Sequence, residues 1–182
     1  MDELAAVGLQ AMGGPAHAGL QVVMQAGEEP SVDADIGAVV VGFDRHLNYY
    51  KIQYAQRCIR HLGAEFIATN TDPVTPLTPG HEWAGGGSMV GALVGCTQMQ
   101  PTVAGKPSPV LLDYLVGLGH QRAEMCMVGD RLNTDILFGA SNGLKTILTL
   151  SGVTRPQHLK DPNIPAMPDF VVASVSELIP PP

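Results

Sequence analysis

Two acids stand five residues apart in "MCMVGDRLNTDILFGASNG", residues 125–143: Asp130 and Asp135, with Arg131, Asn133 and Thr134 between them. They follow an apolar run that ends at Gly129, a residue that permits a tight turn. In open α/β sheets ligands bind outside the carboxyl ends of the strands. Two hard oxygen ligands with no His or Cys beside them suit Mg²⁺ rather than zinc. The same letters also suit the start of a helix, where Asp and Thr accept from free backbone N–H groups without any metal. A second site is "VAGKPSP", residues 103–109, in which Lys106 follows a short apolar strand and precedes a helix. An ammonium there could neutralise a phosphate or an aspartyl-phosphate at the sheet edge; the competing reading is a solvated turn lysine. It is not a P-loop lysine, because Pro107 follows it instead of Ser or Thr and Gln100 stands where that motif needs its first glycine.

The elements that must position these residues alternate between strand-like and helix-like. "LQVVM" (20–24), "GAVVVGF" (37–43) and "AEFIATN" (64–70) read as strands, and "LNYYKIQYAQRCIRHLG" (47–63) as a helix stopped by glycine. "GGGSMVGALVGCTQM" reads as a glycine-rich turn opening a helix. A short strand at 102–104 follows, then a helix with Ser108 as N-cap and Pro109 at its first position, then the strand "EMCMVG". Beyond Asp130 the pattern gives a helix capped by Thr134 and closed by Gly143, the strand "LKTILTL", and a last strand before a capping box of Ser174 and Glu177. This alternation argues for the α/β class, with parallel sheet and helices on both faces. The domain boundary is expected in "CTQMQPT", which divides the chain into residues 1–100 and 101–182.

The chain has 182 residues and 45% hydrophobic content, enough to bury a real core. A net charge of −7 with no Lys/Arg cluster argues against a nucleic-acid partner. No apolar run reaches the length of a membrane span, and the first residues lack the basic and apolar regions of a signal peptide. Cys58, Cys96 and Cys126 are scattered and form no CxxC pair, which points to three unpaired core thiols in a reducing compartment.

Taken together, "GKPSP" followed some twenty residues later by "VGDRLNTDILFGASNGLKTILTLSGVT" resembles the haloacid dehalogenase superfamily. The resemblance is to the branch of 4-nitrophenylphosphatases and phosphoglycolate phosphatases, whose large α/β cap "VVVGFDRHLNYYKIQYAQ" and "FIATNTD" look like. It implies a Rossmann-like core, here its C-terminal half in residues 101–182, and a cap in residues 1–100 that selects substrate and joins two copies into a homodimer. It implies a Mg²⁺-dependent hydrolase of a small phosphorylated metabolite, 2-phosphoglycolate first, with pyridoxal 5′-phosphate or 4-nitrophenyl phosphate as alternatives. Residue by residue, Lys106 matches the lysine that steadies the nucleophile and the transferring phosphoryl group. Asp130 matches the direct Mg²⁺ ligand, and Asp135 the acid that acts through a metal-bound water or by holding the lysine. Asp72, Thr75 and Asn133, with Lys106, are the expected substrate-binding residues; Thr75 lies in the loop 73–80 that matches the cap loop over the active site.

The family's nucleophile and acid/base form D-x-D-G-T or D-x-D-G-V directly after an apolar strand. Asp33 and Asp35 in "VDADIG" precede their strand instead of following it, and Asp44 follows a strand but has His46 where the acid/base belongs. The chain is therefore expected to begin inside the cap, and alone to be inactive or nearly so. A cytoplasmic location is expected, or the chloroplast if a transit peptide preceded Met1. Two rival readings are a catalytically inactive dimerising fragment and a receiver-like phosphoacceptor; the Lys-then-Asp order disfavours the second. The six histidines show no metal-ligand spacing; Trp83 and part of the Tyr49, Tyr50 and Tyr54 group are expected to pack, and Gly85–Gly87 could open a helix or approach a phosphate.

Overall fold

A computed structural model describes residues 2–21 and 31–179, which form two compact units, residues 1–103 and 104–182. The division falls three residues past the expected boundary, because the strand at Thr102–Val103 pairs within the first unit.

In the first unit a short helix α1 (Asp2–Ala6) precedes β1 (Ala38–Val41), α2 (Tyr49–Arg57), β2 (Glu65–Ala68), β3 (Val74–Thr78), β4 (His81–Ala84), α3 (Gly86–Thr97) and β5 (Thr102–Val103). Strands β1, β2 and β5 form a parallel sheet in that order, with Val39 opposite Phe66 and Ala68 opposite Val103. Asn48 starts α2 by accepting from the Lys51 N–H at 2.9 Å, and the helix runs through a π-helical turn, Cys58–Leu62, to a left-handed Gly63. Phe66 and Ala68 from the sheet, Ile59 from the π turn, and Val90 and Leu93 from α3 make the buried core. The segment 73–80, expected as a loop, is instead the first arm and turn of an antiparallel hairpin, β3–β4. Thr78 and His81 flank a two-residue Pro79-Gly80 turn in which Gly80 has φ 76°, and Pro-Gly is a strong turn signal.

The second unit contains α4 (Val110–Gly117), β6 (Cys126–Gly129), α5 (Leu137–Ser141), β7 (Lys145–Thr149) and β8 (Phe170–Val172). Its three strands are parallel in the order β6-β7-β8, so the α/β class holds in both units. Leu112, Phe138 and Leu144 form one buried cluster, and Leu132, Ile136 and Leu148 another. Gly139 lets α5 lie close on the sheet, since a Cβ there would overlap the Thr146 methyl and come within 2.9 Å of Met127 Cβ. Among the described residues β6 is paired on one side only, and Leu111 and Tyr114 of α4 and Leu118 just past its end are exposed.

Several local expectations need correction. Helix α4 begins at Val110 with Pro109 in the cap position, and Ser108 Oγ reaches the Val110 N–H only at 3.5 Å. Thr134 does not cap; it lies inside a π-helical turn, Leu132–Ile136, whose cap position is Arg131. Of the cysteines only Cys58 is buried, where burial pushes its thiol pKa up; Cys96 and Cys126 are exposed. Trp83 is 50% exposed and donates to Thr78 Oγ1 at 2.9 Å. Tyr50 stacks edge-on against His17, and Tyr54 Oη accepts from the Asp33 N–H at 2.8 Å, while Tyr49 is exposed. Gly85 and Gly87 open α3 where a Cβ would overlap the carbonyls of Asp72 and Thr71. The proposed Ser174 and Glu177 pair caps in altered form: Ser174 accepts from Ser176, and Glu177 from Ala173. In the expected strand 20–24, residues 22–24 lie outside the described residues, and Leu20 and Gln21 are not in a strand.

Candidate functional site

Asp130 is the first residue after β6, and the turn that follows decides what its neighbours do. The N–H groups of Asp135 and Ile136 both donate to the Arg131 carbonyl, at 3.1 and 3.0 Å, which makes the turn one residue wider than an α-helical one. That width returns Asp135 toward the start of its own turn. Asp135 Oδ2 accepts from the N–H groups of Asp130 and Arg131 at 3.0 and 3.1 Å. Its other oxygen receives the Lys106 ammonium at 2.6 Å. Lys106 comes from the loop before α4, in which the Lys106–Pro107 peptide is cis. The Asp135 side chain is 7% exposed and that of Lys106 40%. A carboxylate so buried is tolerable because every lone-pair direction it uses meets a donor, one of them charged. Gly129 leaves the room, since a Cβ there would overlap the Asp135 carboxylate.

Asp130 is held from the other side. Its Oδ2 accepts from the Val153 N–H at 2.7 Å, its carbonyl accepts from the Thr154 N–H at 3.1 Å, and a Cβ on Gly152 would overlap its carboxylate. Oδ1 of Asp130 takes no hydrogen bond among the described residues. The segment 152–154 after β7 thus clasps Asp130 and aims it. Sequence reasoning gave these residues no role; the signal was a glycine followed by two N–H donors just past a strand end.

The arrangement brings Lys106 and Asp135 into contact, with Asp130 beside them through its N–H to Asp135. The helix-start reading of the two acids is also partly right, because Asp135 satisfies two N–H groups at the head of its turn. Asn133 is exposed and lies on the wall of a pocket beside Arg131. Asp72 and Thr75 belong to the first unit. The Asp72 N–H donates to Asn70 Oδ1 at 3.1 Å and its carbonyl accepts from the Gly87 N–H at 2.8 Å, while Thr75 pairs with Trp83 across the hairpin. Among the described residues no group of three or more His, Cys, Asp or Glu gathers as a metal cage.

The aspartates rejected as nucleophiles have local roles. Asp33 Oδ1 accepts from the Asp35 N–H at 3.0 Å in a turn ahead of β1. Burial works to raise the pKa of Asp44, but a 2.6 Å bond from the Lys51 ammonium and a 2.8 Å bond from the His46 N–H outweigh it and hold the carboxyl below its ordinary range.

Residues 103–178 match the family described as HAD-hydrolase-like. Phosphoglycolate phosphatase 1A, chloroplastic, of Arabidopsis thaliana is 53% identical over 100% of this chain and 51% of its own length. Among solved structures, a 4-nitrophenylphosphatase from Thermotoga maritima shares 34% identity with a TM-score of 0.70, over 81% of this chain and 56% of that one. A glycerol phosphate phosphatase from Mycobacterium tuberculosis, in complex with magnesium, shares 36% identity with a TM-score of 0.69, over 78% and 42%. The chain spans about half the length of the curated relatives it matches. Residues 103–178, the stretch that matches the HAD-hydrolase-like family, hold the lysine and both acids at the end of a parallel strand.

Proposed function

We propose that this chain supplies the metal-binding and charge-stabilising half of a Mg²⁺-dependent phosphomonoester hydrolase, with 2-phosphoglycolate as the substrate. The observation that carries the reading is the Lys106–Asp135 pair at 2.6 Å beside Asp130, at the carboxyl end of β6. The 53% identity to a phosphoglycolate phosphatase supports the choice of substrate.

The residues fit a bound Mg²⁺. Asp130 has a hard oxygen in reserve, and Gly152 keeps the space beside its carboxylate clear of a side chain. Mg²⁺ commonly uses one or two carboxylates and fills its remaining positions with water and substrate oxygens, so a single direct protein ligand in this chain is sufficient for a weak site. Asp135, with both oxygens engaged, is placed to orient rather than to ligate. When bound, the metal supplies positive charge at a phosphoryl oxygen. Lys106, partly exposed, adds an ammonium that Asp135 fixes in place, and its charge offsets the negative charge spread over a transferring phosphoryl group. The Val153 and Thr154 N–H groups hold Asp130 still, so that little reorganisation accompanies the reaction.

Asp72 and Thr75 are placed in this reading on the substrate-selecting cap, residues 1–100, and Asn133 near the substrate. Self-association through the same residues belongs to the proposal and would show as a dimer mass in sedimentation equilibrium. The chloroplastic relatives favour the chloroplast of the two compartments expected from the sequence.

No D-x-D-G-T or D-x-D-G-V follows an apolar strand in this sequence, so the nucleophile is not among its residues. The chain alone is expected to hydrolyse 2-phosphoglycolate and 4-nitrophenyl phosphate at background rates with Mg²⁺. Adding the N-terminal half of the Arabidopsis relative in trans is expected to restore turnover that Asp130→Asn lowers by about a hundredfold or more, the loss typical of removing a charge that stabilises a transition state. Restored turnover that Asp130→Asn leaves intact would remove the assignment.

A further inference from the structure

Beside the carboxylate site the second unit holds a cavity of about 490 Å³, lined by polar and apolar groups alike. Its floor is apolar and fixed: Leu132 is 8% exposed and belongs to a core cluster against which Ile164 packs. Its walls carry unused hydrogen-bonding capacity. Thr154 is only 3% exposed, yet its hydroxyl takes no hydrogen bond among the described residues. Its oxygen is not among the fully buried, partnerless atoms of the described residues, so it meets solvent, which a ligand could replace. The guanidinium of Arg131, half-buried in the same wall, takes no ion pair or hydrogen bond among the described residues. His158 Nδ1 accepts from the Arg155 N–H at 3.1 Å, which leaves Nε2–H as a donor. Asp161 gives Oδ1 to the N–H and side-chain amide of Asn163, at 2.9 and 3.2 Å, and keeps Oδ2 as an acceptor.

We propose that this cavity is a binding site for a small hydroxylated carboxylate. The planar fork of Arg131 suits a carboxylate in two-point contact, with His158 Nε2–H as a further donor. The Thr154 hydroxyl and the free oxygen of Asp161 suit the hydroxyl groups of such a ligand, and the apolar floor takes its carbon chain. The volume falls in the range of small-molecule sites. The cavity shares Val153 and Thr154 with the clasp on Asp130, so an occupant and the carboxylate site meet the same loop from two sides. The proposal rests on the cavity alone and stands independently of the phosphatase reading.

The test is a titration of the purified chain with tartrate, followed by calorimetry and by NMR signals of the residues on the cavity wall. Saturable binding is expected, with shifts at Arg131, Thr154 and His158. Arg131→Leu and the near-isosteric Thr154→Val should each weaken it by about tenfold or more, the effect of losing one good hydrogen bond to a buried or charged group. Succinate, which lacks the hydroxyls, should bind weaker by a similar factor. Absence of saturation through tens of millimolar tartrate, or unchanged affinity in both folded variants, would overturn the site; equal affinity for succinate would overturn the ligand class.

Discussion

Asp135 uses both of its oxygens inside the protein, whereas Asp130 gives one oxygen to Val153 and keeps the other in reserve. That asymmetry separates two residues whose letters are identical and whose spacing alone left both as candidate ligands. It comes from the backbone: the wide turn at 132–136 folds Asp135 back onto N–H groups, while Asp130 sits before the turn and faces a different loop. A second carboxylate follows the same logic without any catalytic role. Asp169 accepts from the Lys145 ammonium at 2.7 Å and from the Thr146 hydroxyl and N–H, each at 2.9 Å, which hold its pKa at about 2. A folded-state pKa below the unfolded one stabilises the fold above the unfolded pKa, and that stability is lost as the group protonates. Stability measured by urea denaturation should therefore fall as the pH drops from about 4 to about 2, and Asp169→Asn should flatten the profile in that window. A variant with the same pH slope as the wild type would count against this assignment. At this scale Lys106, Asp130 and Asp135 were legible because charged types at fixed spacing survive in the letters. Gly152 and Val153 were not, because their contribution is a missing side chain and a backbone N–H.

Strands and the longer helices were legible through their apolar periodicity, with boundaries off by a residue or two. What escaped were features set by backbone geometry. The hairpin β3–β4 was hidden by Pro73, Pro76 and Pro79, which read as loop punctuation although the register tolerates a bulge between Thr75 and Thr78. Ser108 and Thr134 carried the right chemistry for caps, but Pro109 and the widened turn moved the helix starts past them. The element that positions Asp130 is β6, and β6 is anchored by its pairing with β7, where Leu148 is fully buried opposite Gly129. Leu148→Ala should cost about 2–5 kcal/mol of stability in the second unit, the range for a buried leucine that leaves a cavity. Leu111→Ala, on the exposed side of α4, should change stability by less than about 0.5 kcal/mol. Equal urea midpoints for the two variants would show that β7 does not anchor the sheet in the way its burial implies.

The whole molecule is two α/β units, each holding a three-stranded parallel sheet, under a net charge of −7. A molecule-wide negative field repels an anionic substrate, and at the carboxylate site Lys106 and a cation on Asp130 can offset it. The α/β class with parallel sheets could be read from alternation alone, since strand and helix periods differ so plainly. The partition was harder, because the two-residue strand β5 sits at the boundary and its side is decided by pairing with β2, a long-range contact that composition does not record. The central claim is that Asp130, clasped by the 152–154 loop and flanked by the Lys106–Asp135 pair, holds a divalent cation. The most direct test is calorimetric titration of Mg²⁺ into the intact chain and its Asp130→Asn variant. Saturable binding in the wild type, weakened about tenfold or more in the folded variant, is the result predicted for loss of the direct carboxylate ligand; identical Mg²⁺ affinity in the two proteins would contradict it.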